Sequence, residues 1–191
     1  MLFCCTSDAM LKVWCIEQKK CLHTVRIGSL YNFPLQIYQT NEFHNVVIHS
    51  GRMKRADRID ENPLRLRNLE IGPFFCLSSN TDCIALMKVF TKRNNEPILA
   101  TSGKDDFSIK IWDVSNKPSE ATLSGQLVGH DDIVSAAELF FVEYKVYLAS
   151  ASKDNTIKLW DLSSFSIKNT FKVESNIYDL ISIKLNKIIK L

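Results

Sequence analysis

The sequence predicts an all-β fold built from repeated sheet units, and three observations support this prediction. Residues 148–163, LASASKDNTIKLWDLS, read as two short strands of alternating small and apolar residues joined by a polar turn. Similar stretches occur at residues 99–115, LATSGKDDFSIKIWDVS, and at residues 2–17, LFCCTSDAMLKVWCIE. Segments that combine several turns of helical periodicity with capping residues are absent.

The three tryptophans fall at the same place in these stretches, and their spacing defines a repeat. Trp112 and Trp160 are 48 residues apart, and Trp14 and Trp112 are 98 residues apart, close to two such periods. A unit without tryptophan is therefore expected between them. The segment NPLRLRNLE at residues 62–70 fits, with Arg67 where the tryptophan would be. The predicted units are 1–27, 28–76, 77–127 and 128–173, with 174–191 as the start of a further one.

Further strands flank these pairs. They are predicted at residues 83–90 and 122–127 around the Trp112 stretch, and at residues 132–139 and 166–172 around the Trp160 stretch. Four strands per unit, with a period a little above about 40–45 residues, are typical of a β-propeller blade.

The last full unit resembles the WD-repeat signature of β-propellers. It carries Gly129-His130, then Leu148-Ala-Ser, then Asp154 and Trp160-Asp161. The match is good around Trp112 and Trp14 and weak around Arg67. The resemblance implies a buried hydrogen-bonded set formed by one residue of each of four types, His130, Ser150, Asp154 and Trp160. Buried carboxylate and indole groups need such partners.

The other units depart from this set. Asn80 stands at the histidine position before Trp112, and Gly28-Ser29 replace Gly-His before the Arg67 unit. The turn before Trp112 holds one extra residue, so Asp105 or Asp106 could take the aspartate role. The repeat markers of the remaining units are predicted to be Asp8, Trp14, Asp105 and Trp112.

The units amount to about four blades of a larger propeller, expected to be seven-bladed or tandem. The alternative is a four-bladed ring, closed by pairing residues 177–185 with residues 2–6. The order of units is similar to the middle of the transducin-beta-like WD-repeat proteins of the small-subunit processome. That resemblance implies a role in pre-ribosomal RNA processing in the nucleolus.

No enzymatic motif stands out. The sequence lacks a glycine-rich phosphate loop, H-E-x-x-H and G-x-S-x-G, so neither catalytic residues, a cofactor nor a small-molecule substrate is expected. Six cysteines form no C-x-x-C pair, which argues against a metal site. No apolar run reaches the length of about 18 residues that spans a bilayer, and residues 1–10, MLFCCTSDAM, lack the basic and apolar regions of a signal peptide. We therefore expect no membrane partner and an intracellular location, preferably nuclear or nucleolar, with the cytoplasm as the alternative.

A basic run in the inserted turn of the second unit is the candidate contact for RNA or a protein partner. It consists of Arg52, Lys54, Arg55 and Arg58. A solvated loop balanced by Asp57, Asp60 and Glu61 is the alternative interpretation. The sequence thus predicts a non-enzymatic scaffold in a multi-subunit complex, and pre-ribosomal RNA is a candidate further partner. An adaptor in another pathway, such as a ubiquitin-ligase substrate receptor or a trafficking coat, is the alternative.

Overall fold

The computed structural model describes residues 2–5, 10–26, 35–39, 45–50, 54–55, 58–59, 64–68, 74–77, 84–104, 106–115, 121–175 and 177–181. For the strands between residues 35 and 77 it describes the backbone. Every regular element in these ranges is a β-strand. The predicted all-β fold class is confirmed.

Four antiparallel sheets follow one another along the chain, each with its strands in sequential order. Sheet 1 contains β1 (Leu2–Cys5), β2 (Met10–Cys15) and β3 (Lys20–Arg26). Sheet 2 contains β4 (Leu35–Gln39), β5 (Asn45–Ser50), β8 (Leu64–Asn68) and β9 (Phe74–Leu77). Between β5 and β8 lies a small hairpin of β6 (Lys54–Arg55) and β7 (Arg58–Ile59).

The second half of the chain forms two four-stranded sheets. Sheet 3 contains β10 (Ile84–Thr91), β11 (Pro97–Gly103), β12 (Ile109–Asp113) and β13 (Thr122–Leu127). Sheet 4 contains β14 (Val134–Val142), β15 (Lys145–Ser152), β16 (Thr156–Asp161) and β17 (Ser166–Lys172). Sequential four-stranded sheets of this kind are the unit from which propellers are assembled.

The three tryptophans occupy equivalent register positions in sheets 1, 3 and 4. Trp14 pairs with Leu2, Trp112 with Leu99 and Trp160 with Leu148. In each sheet the pairing with the following strand shifts by one residue beside the tryptophan, which marks a β-bulge. In sheet 2, Arg67 lies in β8 opposite Val47 of β5 and Phe74 of β9.

Sheets 3 and 4 pack on a common core. Every residue of β11 is buried, and the strand lies inside its sheet, paired with β10 on one side and β12 on the other. The core cluster joins apolar side chains of both sheets, including Ile98, Ile109, Leu127, Leu148 and Trp160. By contrast, every residue of β17 is exposed. Sheet 4 therefore ends in a solvated outer strand, while its other three strands and all four strands of sheet 3 contribute side chains to the core.

One charged contact ties the first strands of these two sheets. Lys88 Nζ of β10 lies 2.7 Å from Glu138 Oε2 of β14 and donates a hydrogen bond to Ala137 O over 2.9 Å. The ammonium group also lies 5.5 Å from the ring centroid of Phe90. This contact fixes the two strands side by side.

Two strand predictions need correction. The strand predicted at residues 132–139 begins at Val134. Asp132 belongs to the preceding turn, where its carboxylate accepts a hydrogen bond from Ile133 N over 2.6 Å and its carbonyl accepts one from Ser152 Oγ over 2.9 Å. The strand predicted at residues 177–185 is not formed over Ile177–Ile181, and residues 182–185 lie outside the described ranges.

The strand pairing predicted to close a four-bladed ring is not seen in the part of the chain that the structure describes. There β1 pairs with β2, and Ile177 O accepts a hydrogen bond from Ser135 Oγ of β14 over 2.6 Å. The segment after β17 therefore runs beside the first strand of sheet 4.

Candidate functional site

The structure brings His130, Ser150, Asp154 and Trp160 into one connected set, which we call the tetrad. His130 Nδ1 lies 2.7 Å from Asp154 Oδ2, and His130 Nε2 lies 2.7 Å from Ser150 Oγ. Trp160 Nε1 donates to the same Ser150 oxygen over 2.7 Å. Ser150 is fully buried and Trp160 is 1% exposed, so these bonds are sheltered from water.

The donors and acceptors of the tetrad all match when His130 is neutral. The indole N–H of Trp160 donates to Ser150, whose hydroxyl then donates to His130 Nε2, while His130 Nδ1–H donates to the Asp154 carboxylate. A doubly protonated imidazole would present a donor to Ser150, whose hydroxyl hydrogen would then lack this acceptor. The tetrad therefore favours the neutral ring with its proton on Nδ1.

Asp154 is the group of the tetrad that accepts the most hydrogen bonds. Its Oδ1 accepts from Thr156 N over 2.8 Å and from Thr156 Oγ1 over 2.6 Å, while its Oδ2 also accepts from Asp131 N over 3.0 Å. Burial works against the charged form, but the hydrogen bonds from Thr156, His130 and Asp131 outweigh it and lower the pKa of Asp154 to about 2.

At His130 burial outweighs the hydrogen bonds and nearby charges. Its burial disfavours the imidazolium more than the Asp154 carboxylate favours it, so the pKa of His130 lies below 6.5. The direction agrees with the neutral tautomer that the hydrogen bonds require.

The local sequence explains how these side chains meet. Gly129 has a φ of +151°, and a Cβ there would lie 2.8 Å from Ile167 Cδ1, so glycine allows the link from β13 to β14 to pass close beneath the outer strand. Asn155 turns the chain between β15 and β16 with a φ of 60°, a conformation that asparagine tolerates. The adjacent strands β15 and β16 then place Ser150 diagonally across from Trp160, two residues along β15 from Leu148, which pairs with Trp160.

Sheet 3 retains part of this arrangement. Trp112 Nε1 donates to Thr101 Oγ1 over 2.9 Å, and both residues are buried. Asp106 accepts from Ser108 N over 3.2 Å, as Asp154 does from Thr156, with Phe107 between them at a φ of 51°. The register therefore assigns the aspartate position to Asp106, whereas the predicted marker was Asp105. Asp105 and Asn80 lie outside the described residues.

The remaining predicted residues are only partly placed. Trp14 is half-buried in β2, and Asp8 lies outside the described residues. Lys54, Arg55 and Arg58 lie on the β6–β7 hairpin, whose backbone alone is described, and Arg52 lies outside.

Sequence reasoning missed a turn that caps the tryptophan strands. Asp113 Oδ1 accepts from Ser115 N over 2.9 Å and from Ser115 Oγ over 2.6 Å. Asp161 Oδ1 accepts from Ser163 N and Ser163 Oγ over 2.9 and 2.5 Å. The sequence signal for this turn is Trp-Asp-x-Ser in both units. These hydrogen bonds lower the pKa of both Asp113 and Asp161. At Asp113 burial is the largest single influence on the pKa and acts to raise it, but the hydrogen bonds from Ser115 and the charge of Lys92 together outweigh it.

A surface cleft of about 360 Å³ lies between sheets 3 and 4, at the ends of the strands far from the tetrad. Its apolar floor is formed by Ile98, Ile111, Val146, Leu162 and Phe165. Polar side chains line its edge: Lys92, Ser124, Tyr144, Lys145 and Ser163. The cleft depends on the packing of β13 under the turn that precedes β17, since the ring of Phe165 covers Gly125.

The described residues offer neither a metal cluster nor a membrane-spanning helix. No group of three metal-ligating side chains is present among them, and Cys4 and Cys15 are free thiols. The described part of the chain also holds no helix long and apolar enough to cross a bilayer.

Comparison with known families gives a specific match in sheet 4. Residues 121–161 match the family model described as "WD domain, G-beta repeat". The matched segment includes β13 to β16 and all four tetrad residues. Over this segment the chain is similar to a WD repeat. The fold class predicted from the sequence is confirmed, since the chain is all-β, carries a matched WD repeat and forms sequential antiparallel sheets that are consistent with part of a propeller.

Curated relatives that the chain matches are proteins of several kinds. It is 37% identical over 86 residues to Nuclear distribution protein PAC1 of Komagataella phaffii, covering 45% of this chain and 16% of that protein. It is 26% identical over 183 residues to Elongator complex protein 2 of Danio rerio, covering 81% and 22% respectively.

A third relative is Restriction of telomere capping protein 1 of Candida tropicalis, 26% identical over 156 residues, covering 80% of this chain and 14% of that protein. The chain thus spans about a fifth of the length of these relatives, or less. None of the three is a small-subunit processome protein by name.

The WD-repeat context resolves the chemistry of the tetrad. Serine, histidine and aspartate are the residue types of a hydrolase triad, but Ser150 Oγ is fully buried and already accepts the indole N–H of Trp160. A substrate carbonyl cannot approach this oxygen without opening the sheet. The arrangement can hold β15 and β16 in place, but it cannot present a nucleophile.

Proposed function

We propose that this chain is a non-enzymatic scaffold that assembles proteins on the surface of a WD-repeat frame. One observation carries the proposal: the polar set that resembles a reactive site is buried and saturated. Exposed loops and outer strands on this rigid frame are left as the places where function can vary. WD-repeat domains generally mediate protein–protein interactions, so the match over residues 121–161 supports the same interpretation by analogy of fold.

The names of the relatives support assembly without choosing a pathway. One is a subunit of a complex by its name, Elongator complex protein 2, and the others are named for nuclear distribution and telomere capping. The same names support a location inside the cell, in the nucleus or the cytoplasm. Because the chain spans a small part of each relative, their partners are not transferred to it.

The experiment is co-purification of the full chain, tagged, from its own cells, with and without nuclease treatment. The scaffold proposal expects a reproducible set of proteins in near-stoichiometric amounts that survives nuclease treatment. Recovery of the chain alone, or of proteins that all disappear with nuclease, would contradict it.

A role in pre-ribosomal RNA processing is a second candidate, and it rests on the basic run of the β6–β7 hairpin. The hairpin lies between β5 and β8 in the chain and carries Lys54, Arg55 and Arg58. Clustered lysine and arginine can bind phosphates in a salt-dependent manner. The nucleolar assignment itself rests on the order of units in the sequence, and a ubiquitin-ligase or coat adaptor is the alternative.

Replacing Arg52, Lys54, Arg55 and Arg58 together with serine should weaken binding to a single-stranded RNA probe at low salt. Because the variant lacks four phosphate-binding side chains, the salt dependence of log K should become shallower by about 3. The matched control replaces four exposed lysines elsewhere with serine, at Lys20, Lys104, Lys153 and Lys172. Equal RNA affinity of the wild type and the hairpin variant, measured by fluorescence anisotropy, would exclude the basic run as an RNA contact.

A further inference from the structure

The cleft between sheets 3 and 4 combines an apolar floor with an edge whose charged lining residues are lysines. Among its ten lining residues two are cationic, Lys92 and Lys145, and none is acidic. Lys92 Nζ lies 3.4 Å from Glu96 Oε2, whereas Lys145 is exposed and makes no ion pair within the described part of the chain. An uncommitted ammonium group beside buried apolar surface favours an anionic, amphipathic ligand.

The mouth of the cleft carries an unusually exposed aromatic side chain. Tyr144 lies in the turn between β14 and β15 and is 96% exposed, close in sequence to Val142, which is 51% exposed. Aromatic residues at such positions often anchor protein interfaces because they bury a large area at a small entropy cost. The cleft is open to solvent along this side, so an extended chain can enter it from Tyr144.

The wall formed by Phe165 is held in a conformation that needs support. Phe165 has a φ of 50°, which is uncommon for a bulky residue, and its ring covers Gly125 of β13. Lys19 occupies the equivalent position in sheet 1 and has a φ of 51°. The backbone conformation is therefore shared by the two sheets, whereas the aromatic ring is present in sheet 4 and not in sheet 1. The ring forms one side of the cleft.

We propose that this cleft binds an acidic peptide segment of a partner protein. An apolar or aromatic side chain would lie on the floor formed by Ile98, Ile111 and Val146, and adjacent carboxylates would face Lys145 and Lys92. A volume of about 360 Å³ suits one or two such side chains, since small-ligand pockets begin at about 300 Å³. This inference rests on the proposed scaffold function and assigns one of its docking sites.

The test uses the full chain and a fluorescein-labelled peptide, Asp-Glu-Phe-Leu-Glu-Asp, in a fluorescence anisotropy titration. The expected result is saturable binding that weakens as salt rises. Lys92→Glu with Lys145→Glu should weaken it by about tenfold or more, because it reverses the complementary charge. Lys20→Glu with Lys172→Glu makes the same charge change at exposed positions outside the cleft and should leave the affinity unchanged.

A second pair of variants tests the floor. Ser124 and Thr122 are both exposed on β13, but only Ser124 lines the cleft. Ser124→Trp should fill the cleft and abolish binding, whereas Thr122→Trp should not, and circular dichroism checks that both remain folded. Replacing Phe and Leu of the peptide with Ala should also abolish binding.

Several outcomes would overturn the proposal. These are no binding of the peptide, equal binding of its lysine counterpart, or binding that Ser124→Trp leaves intact. N-acetylphenylalanine binding as tightly as the peptide would assign the cleft to a small anion instead, and a concentration-dependent dimer abolished by Ser124→Trp would assign it to a second copy.

If the peptide fails while the full chain still co-purifies with proteins, only the cleft assignment is wrong. A chain that recovers no partner contradicts the scaffold itself.

Discussion

At the scale of single residues, Ser150 is the point on which the tetrad depends. Its hydroxyl accepts from Trp160 and lies between the indole and His130, at a fully buried position. Thr101 takes the equivalent place in sheet 3 and accepts from Trp112 in the same way. The two sheets together show that a hydroxyl, rather than serine as such, is what the position requires.

We therefore expect Ser150→Ala to lower the free energy of unfolding by about 2 kcal/mol, because it leaves a buried indole donor and an imidazole nitrogen unpartnered. Ser150→Thr should retain most of the stability, since it keeps the oxygen and copies sheet 3. Urea unfolding followed by tryptophan fluorescence measures both. An alanine variant as stable as the wild type would show that these hydrogen bonds do not support the fold.

The lowered pKa of His130 makes stability depend on pH. In the unfolded chain His130 takes up a proton near pH 6.5, whereas burial keeps it neutral in the folded chain to lower pH. The unfolded state then binds more protons, so stability is fully present above about pH 6.5 and decreases as pH falls toward the folded pKa. Asp154, with a pKa of about 2, adds a further decrease only below its ordinary value of 3.8.

Urea unfolding at a series of pH values from about 8 to 5 should show this decrease, and His130→Gln should flatten it. The slope, rather than the absolute stability, is the readout, because glutamine cannot reproduce every hydrogen bond of the imidazole. Stability of the wild type that rises as pH falls would mean that His130 is charged in the folded protein.

At the scale of elements, the features that recur from sheet to sheet lie mostly in the turns and bulges beside the tryptophan strands. Trp-Asp-x-Ser ends β12 and β16 with the same carboxylate-capped turn, and the bulge beside each tryptophan recurs in three sheets. The link from β13 to β14 is equally constrained, since Gly129 passes beneath Ile167 and the indole of Trp160.

Gly129→Ala should destabilise the protein by about 1–3 kcal/mol, because the added Cβ would lie 2.8 Å from Ile167 Cδ1 at a φ that alanine avoids. Ile167→Val removes that methyl group and should recover part of the stability in the double variant, leaving the backbone strain. Thermal unfolding of the four proteins measures the coupling. Additive effects of the two substitutions would show that the two groups do not meet.

Residue positions and strand ends could be predicted from the sequence where the repeat is regular, and not where it is irregular. The four tetrad residues are found because the repeat aligns them, and β13 and β17 are placed at their observed ends because each is the strand that follows a tryptophan strand in the repeat. The aspartate of sheet 3 is harder, since one extra turn residue allows two alignments, and the hydrogen bond from Ser108 to Asp106 decides between them. The capped turns have a sequence signal, but only their hydrogen bonds reveal its meaning.

The cleft could not have been predicted. It requires Ser124 of sheet 3 and Phe165 of sheet 4 to approach each other, and neither residue belongs to a shared motif of the repeats. The polarity of the cleft depends on which side chains of the two sheets come together at its edge. Such a site follows from packing rather than from local pattern.

At the scale of the whole molecule, the common core of sheets 3 and 4 and the contact of Lys88 with Glu138 make a rigid frame. The frame keeps its most reactive-looking groups inside and presents lysines, Tyr144 and the outer strand β17 to solvent. We propose that the interior of the described sheets supports the fold and that their exposed surface is where partners bind.

Partner capture by a tetrad variant tests this division most directly. The full chain carrying Ser150→Ala is purified from cells at a temperature at which circular dichroism shows it folded, and its partners are quantified against the wild type. We predict the same partner proteins in the same amounts, because the surface is unchanged. A folded Ser150→Ala chain that no longer captures its partners would contradict the division, since the buried hydroxyl would then take part in function directly.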